Sequence, residues 1–299
     1  MNEYKEMWNR SWLKSDSIWM IPLIAIYLGI GICFLCVRVI IITILACILK
    51  IMAYYQITQF TRTLLLIGTF ACGWIPWTTG KENLKNNYSV AVSNHITMFD
   101  HMPIWWNIKN MAILVNQMDD QNALYKAVWP AMKPHCIVID KSKEITQLAN
   151  ETNEVRIKAN KKIVVFPEAT IGNGKHLYGF RSFAFRFGDV LPIALKIYPA
   201  FPFINVYPFM CNQTAHVILM LAMPFVIYRV KILPVVKHLN SLPRNMAWVT
   251  QGDIAKAING IATYVSKQNK DAMKKTVKNA ALLDYLNRPE SIFDVSALG

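Results

Sequence analysis

The polarity pattern divides the chain near residue 80. Residues 18–37 run for 20 positions without a charged side chain, Arg38 interrupts, and 39–49 continue apolar. As one helix, 18–49 measures about 48 Å at ~1.5 Å per residue, well beyond a hydrocarbon core of about 30 Å. The segment must therefore tilt, break or fold back. Pro22, Gly29 and Gly31 supply break points, so a re-entrant hairpin and a single span both remain open. A signal peptide fits poorly, because the apolar stretch is too long and Glu3, Glu6 and Asp16 precede it. Residues 51–80 read as a more mixed, interfacial helix ending near Pro76.

From Tyr88 onward the period changes. Short β-rich runs at 88–93, 136–139, 163–166, 191–197 and 203–207 read as strands. Between them, 119–132 and 143–161 read as helices; Ile145, Leu148, Thr152, Val155 and Ala159 recur at helical spacing. Alternation of this kind predicts an α/β layer structure. Residues 197–228 again lack charge, but Pro199, Pro202, Pro208 and Pro224 punctuate them. A strand followed by a membrane-touching helix over 217–230 fits that pattern. At 253–267 Ile254, Ala257, Ile258, Ile261, Ala262 and Val265 share one helical face. The division expected is an anchor with an interfacial helix at 1–80, an α/β domain with its terminal amphipathic helix at 81–270, and a short tail at 271–299.

Composition sharpens this picture. Apolar residues make up 54% and charged residues 17%, against about 25% charged in soluble domains. The net charge is +14, and beyond residue 80 there are 26 basic against 15 acidic side chains. A basic body suits phospholipid headgroups or other phosphate-bearing partners. Nucleic acid is not expected as a partner, since no basic tract is interleaved with aromatics. Cys33, Cys36, Cys47, Cys72, Cys136 and Cys211 are scattered and read as small apolar filler. His135, His176, His216 and His238 show no metal-site spacing, and no metal or bound cofactor is expected.

The chemistry-bearing segment is Ser93-Asn94-His95-Ile96-Thr97-Met98-Phe99-Asp100, placed directly after a predicted strand. Positions five apart do not meet on a regular helix or strand. A strand-to-helix turn with Thr97 as N-cap brings Asp100 back toward the His95 imidazole, where a carboxylate fixes the tautomer and stabilises the imidazolium. Asp100 equally fits a capping-box acid three residues after Thr97.

Three further blocks follow: His135-Cys136-Ile137-Val138-Ile139-Asp140-Lys141, then Val165-Phe166-Pro167-Glu168-Ala169-Thr170, then Val190-Leu191-Pro192-Ile193-Ala194. In order and spacing the blocks resemble the glycerolipid acyltransferase family. The resemblance implies an α/β fold with an acyltransferase-like mixed sheet flanked by helices, preceded by a membrane-embedded helical segment. It implies transfer of an acyl group from acyl-CoA, a co-substrate rather than a cofactor, to the hydroxyl of lysophosphatidic acid or another lysophospholipid. His95 then acts as general base with Asp100 behind it; Lys141, Glu168 and Thr170 bind the acceptor; Pro192 shapes a pocket. Lys141 stands where the family usually has Arg, Ala169 where it has Gly, and Ile171 where Arg often follows; Lys175 and Arg181 stand nearby to supply charge.

A closer resemblance is to the ancient ubiquitous proteins of the endoplasmic reticulum and lipid droplets. It rests on the apolar N-terminus, Phe99-Asp100-His101, Phe180-Arg181-Ser182 and the run from Pro224 to Val230. It implies location on those membranes with the domain facing the cytosol. The ubiquitin-binding module of that group is not expected, because the residues after Lys270 show no three-helix pattern. The competing expectation is a non-catalytic membrane or lipid-droplet adaptor that retains the fold.

Overall fold

The computed structural model describes residues 21–55, 57, 60–116, 133–140, 143–202, 204, 206, 213–238, 242–263 and 265. The expected helix over 119–132, the tail at 271–299 and most of the expected strand over 203–207 lie outside these residues, as does Lys141.

In chain order the elements are α1 (Ile21–Tyr54), α2 (Thr61–Ala71), β1 (Trp74–Thr79), β2 (Val90–Ser93), α3 (His101–Asn107), β3 (Met111–Asn116), β4 (Cys136–Ile139), α4 (Ile145–Lys158), β5 (Lys162–Val165), β6 (His176–Leu177), β7 (Val190–Pro199), α5 (Gln213–Ala222), β8 (Val226–Ile232), α6 (Pro243–Ile258) and β9 (Ile261–Ala262). The described residues form a seven-stranded sheet in the order β1-β8-β7-β2-β5-β3-β4, with β6 and β9 as a separate pair. Every neighbouring pair in the large sheet is parallel except β7 and β8. The expected mixed sheet flanked by helices is therefore present.

Both faces of the sheet are buried, which explains the unbroken apolar strands. Along β7, Leu191, Ile193, Leu195 and Ile197 enter one core with Trp105 and Tyr228, while Val190 and Ala194 enter the other with Phe185 and Ile254. Pro192 is tolerated here because its carbonyl side faces past the end of β8. Ile193 pairs with Ile232, the last residue of β8, and Leu233 N donates to Pro192 O at 2.9 Å. The missing Pro N–H thus removes only the reciprocal bond to Leu233, beyond the last residue of β8.

The apolar N-terminus forms one unbroken helix. No turn occurs at Gly29 or Gly31: the helix continues through both for 34 residues. Gly31 instead permits close packing, since a Cβ there would lie 3.2 Å from Ala222 O. One stripe of α1 (Tyr27, Gly31, Leu35, Arg38, Ile42, Leu45, Leu49) is buried or half-buried at helical spacing. Tyr27 packs edge-on against Phe201, and α1 lies against α2 and α5. From Tyr27 to Leu49 this docked face runs about 33 Å at ~1.5 Å per residue. Arg38, the charge that interrupts the apolar run, is buried. Its guanidinium donates to Ala71 O, Leu221 O, Met223 O and Pro224 O, the orphan carbonyls where α2 and α5 end. The outer face, including Ile26, Ile32, Val37, Ile40, Ile44 and Ile51, is exposed. The stretch Ala25–Met52 is long and apolar enough to cross a membrane by length and composition.

Three expectations are corrected. The helix over 51–80 gives way to α2 and then the edge strand β1, where Pro76 is accommodated. The helix expected over 217–230 stops at Ala222, and Val226–Ile232 forms β8, whose alternate residues are buried. The amphipathic helix at 253–267 is really α6, which starts ten residues earlier behind Pro243. It ends at Asn259 in the left-handed region (φ 55°), and a Cβ on Gly260 would come within 2.5 Å of Lys175 O. An Asn-Gly pair of this kind is a helix stop.

Candidate active site

Chain direction places the carboxyl ends of β2, β5 and β7 at one edge of the sheet, where ligands of open α/β sheets bind. Beyond Ser93, Asn94 extends the pairing with its side chain: Nδ2 donates to Leu195 O at 3.0 Å, and Leu195 N donates to Oδ1 at 2.8 Å. The amide mimics one more strand residue and fixes the point at which the chain turns out as His95.

His95 Nδ1 lies 2.9 Å from Asp100 Oδ2, so Nε2 is the nitrogen left for chemistry. The imidazole is 22% exposed while Asp100 is fully buried, and Phe166 stacks on the ring at 4.6 Å. Asp100 is held by more than the histidine. Its Oδ2 also accepts from Ile96 N at 2.5 Å and Thr97 N at 2.9 Å, and its Oδ1 accepts from Thr97 Oγ1 at 2.7 Å. Thr97 Oγ1 in turn accepts from Phe99 N. The capping-box geometry and the histidine contact therefore coexist in one carboxylate, with α3 proper starting at His101. Having given its single proton to Asp100, Thr97 Oγ1 must accept from Tyr228 OH, 3.1 Å away in β8.

Glu168 lies directly behind the His95 backbone. It is 2% exposed, and both oxygens receive backbone donors: His95 N on Oε1 at 2.8 Å and Tyr178 N on Oε2 at 2.9 Å. Gly172 N donates to His95 O at 2.6 Å, so the loop after β5 grips the His95 backbone from both sides. The grip extends outward. Gln251 of α6 donates through Nε2 to Leu177 O, Tyr178 O and Thr263 O, fixing the loop that presents Tyr178 N. Ala169 sits in the left-handed region at φ 53°, the conformation for which a glycine is suited.

Residues 77–210 match the family model described as Acyltransferase. The matched segment includes His95, Asp100 and Glu168. No curated protein matches the chain significantly. Among solved structures the fold is similar to that of PlsC, the 1-acyl-sn-glycerophosphate (LPA) acyltransferase from Thermotoga maritima. The TM-score is 0.53 at 12% identity, covering 78% of this chain and 94% of that one.

Within the matched segment the structure joins His95, Asp100 and Glu168 in one bonded cluster. Thr170 follows the Glu168 turn and is half-buried. Arg181 is tied to that turn by its backbone, Arg181 N donating to Pro167 O at 3.1 Å, with its side chain exposed. Pro192 is buried in β7 opposite Val92, one residue below the turn. Asn94, Tyr178, Tyr228 and Gln251 carry the support and were not singled out by sequence reasoning, because their partners are distant backbone or hydroxyl groups.

The remaining histidines stand apart from the cluster or flank it. His101 lies edge-on to Trp105 at 6.2 Å. His216 is buried beneath the site, stacked near Phe99, with neither ring nitrogen hydrogen-bonded; burial pushes its pKa down to about 4. Among the described residues no cluster suited to a metal ion is found.

Proposed function

We propose that the domain transfers an acyl group from acyl-CoA to a glycerolipid hydroxyl at a membrane surface. The observation that carries this reading is the His95–Asp100 contact, which leaves Nε2 of a partly exposed imidazole at the carboxyl edge of the sheet. The acceptor oxygen attacks the thioester carbonyl carbon while Nε2 takes its proton. The C–S bond then breaks, and the coenzyme A thiolate recovers that proton from the imidazolium. Asp100 stabilises the imidazolium in between. Such assistance contributes ~10²–10⁴-fold, and positioning of both substrates supplies the rest.

Lys141, Thr170 and Arg181 are assigned to the acceptor phosphate and Pro192 to the wall of the pocket. Glu168 is assigned to holding the His95 backbone, since both its oxygens already receive N–H donors. The PlsC-like fold supports a lysophosphatidic or related lysophospholipid acceptor.

α1 is read as an in-plane anchor. A helix docked to the domain along about 33 Å of its length, with a buried arginine at mid-length, has less than a bilayer's thickness free on either side. Its exposed apolar face enters the membrane instead, with the domain on the cytosolic side of the endoplasmic reticulum or a lipid droplet. The adaptor reading draws on strained Ala169 and on Ile171. The deciding experiment supplies purified protein in mixed micelles with labelled acyl-CoA and a lysolipid panel. Labelled product with lysophosphatidate is expected, and no product with any acceptor favours the adaptor.

A further inference from the structure

The edge of the sheet opposite His95 has a separate polar cavity. β2, four residues or about 13 Å long, separates the two edges. The amino ends of β2, β3 and β5 open there onto a cavity of about 430 Å³ lined by Lys85, Lys109 and Lys162 with Asn86, Asn87 and Asn107. Lys162 is fixed in place: Nζ donates to Tyr88 O at 2.5 Å and lies 4.7 Å from the Tyr88 ring centroid. Lys85 and Lys109 are exposed, and none of the three belongs to an ion pair among the described residues. Ammonium groups backed by amide donors are the chemistry that receives a phosphate.

What surrounds the cavity indicates where that phosphate comes from. Arg62 donates to Trp105 O at 2.8 Å, two residues before Asn107 of the cavity lining, which brings the start of α2 toward this same edge. Tyr54 and Tyr55 at the end of α1 and Phe60 just before α2 are exposed. Aromatic side chains beside a basic rim are the arrangement found at headgroup depth. A soluble phosphate has no use for the aromatic surface.

We propose that this cavity binds the phosphate of an anionic phospholipid headgroup and seats the non-catalytic edge of the domain on the bilayer. The inference rests on the membrane-surface reading of α1, and its test separates the two. Full-length protein is exchanged from detergent onto phosphatidylcholine vesicles or vesicles also containing phosphatidylglycerol, and binding is measured by flotation. Each lysine near an anionic surface contributes about fivefold, so Lys85→Gln with Lys109→Gln lowers the preference for anionic vesicles by about 30-fold. Binding to neutral vesicles stays unchanged. The same charge change at Lys143 and Lys256, on α4's approach and α6, preserves the preference.

An undiminished preference in the Lys85/Lys109 variant, or an equal loss in both pairs, overturns the site. A wild type with no preference for anionic vesicles that nevertheless binds inorganic phosphate through Lys85 and Lys109 overturns the lipid assignment in favour of a soluble ligand. If wild-type protein ignores neutral vesicles yet keeps an anionic preference that depends on Lys85 and Lys109, the headgroup site stands and the α1 reading falls.

Discussion

Replacing Asp100 by Asn separates its two structural roles from its electrostatic one. Oδ2 accepts from His95 Nδ1, Ile96 N and Thr97 N, whereas Oδ1 accepts only from Thr97 Oγ1. The asparagine therefore keeps its oxygen at the Oδ2 position, where an NH₂ would face three donors. Its NH₂ takes the Oδ1 position, and the Thr97 hydroxyl rotates to accept from it. Turn geometry and the His95 tautomer survive, at a stability cost of about 1 kcal/mol. What disappears is the negative charge facing the imidazolium. At an effective dielectric of ~20 and a separation of ~4 Å, that interaction is worth about 4 kcal/mol, or roughly a thousandfold in rate. The assay is kcat for acyl transfer in mixed micelles beside thermal unfolding of the same preparations. A folded Asp100→Asn protein within about tenfold of wild-type kcat refutes the charge argument, leaving Asp100 as a turn-closing residue.

Three further outcomes follow from the same geometry. Tyr228→Phe frees the Thr97 hydroxyl without touching His95, so kcat falls about three- to tenfold while KM for acyl-CoA holds, the equivalent of one neutral hydrogen bond; an unchanged kcat argues against the relay. Ala169→Gly relieves a left-handed alanine and raises stability by about 1 kcal/mol, a Tm gain of about 2–4 °C by calorimetry, whereas a lower Tm contradicts the strain. His216 has a folded pKa of about 4, below its usual 6.5, so its contribution is complete above pH 6.5 and lost as pH falls toward 4. His216 contributes about 3 kcal/mol of loss over that range, and His216→Phe reduces the slope of the denaturation midpoint against pH without abolishing it, because burial also lowers His101 and His135 to about 4.

How much was legible depended on the range of the interaction. His95 and Asp100 were visible because the contact closes within five residues of a strand end. β8 carried a clean alternation of buried and exposed positions, but it lay inside a charge-poor run and was masked by it. β1 was hidden because Trp74, Ile75 and Trp77 are as apolar as the helix before them. Arg38 looked like an interruption of a membrane segment; its meaning depends on carbonyls at Ala71, Leu221, Met223 and Pro224. Glu168 was recognised by motif, but its bonds to the backbone N–H groups of His95 and Tyr178 were not foreseen. No local pattern announces a backbone partner 73 residues away.

The central claim is that His95 Nε2 removes the acceptor proton during acyl transfer. The most direct measurement is the rate at which label passes from acyl-CoA to lysophosphatidate with wild-type protein and with His95→Ala, both verified as folded. The account predicts product with wild type and a loss of about 10²–10⁴-fold in the variant, with lysophosphatidate binding retained. A His95→Ala protein that transfers label at the wild-type rate contradicts it.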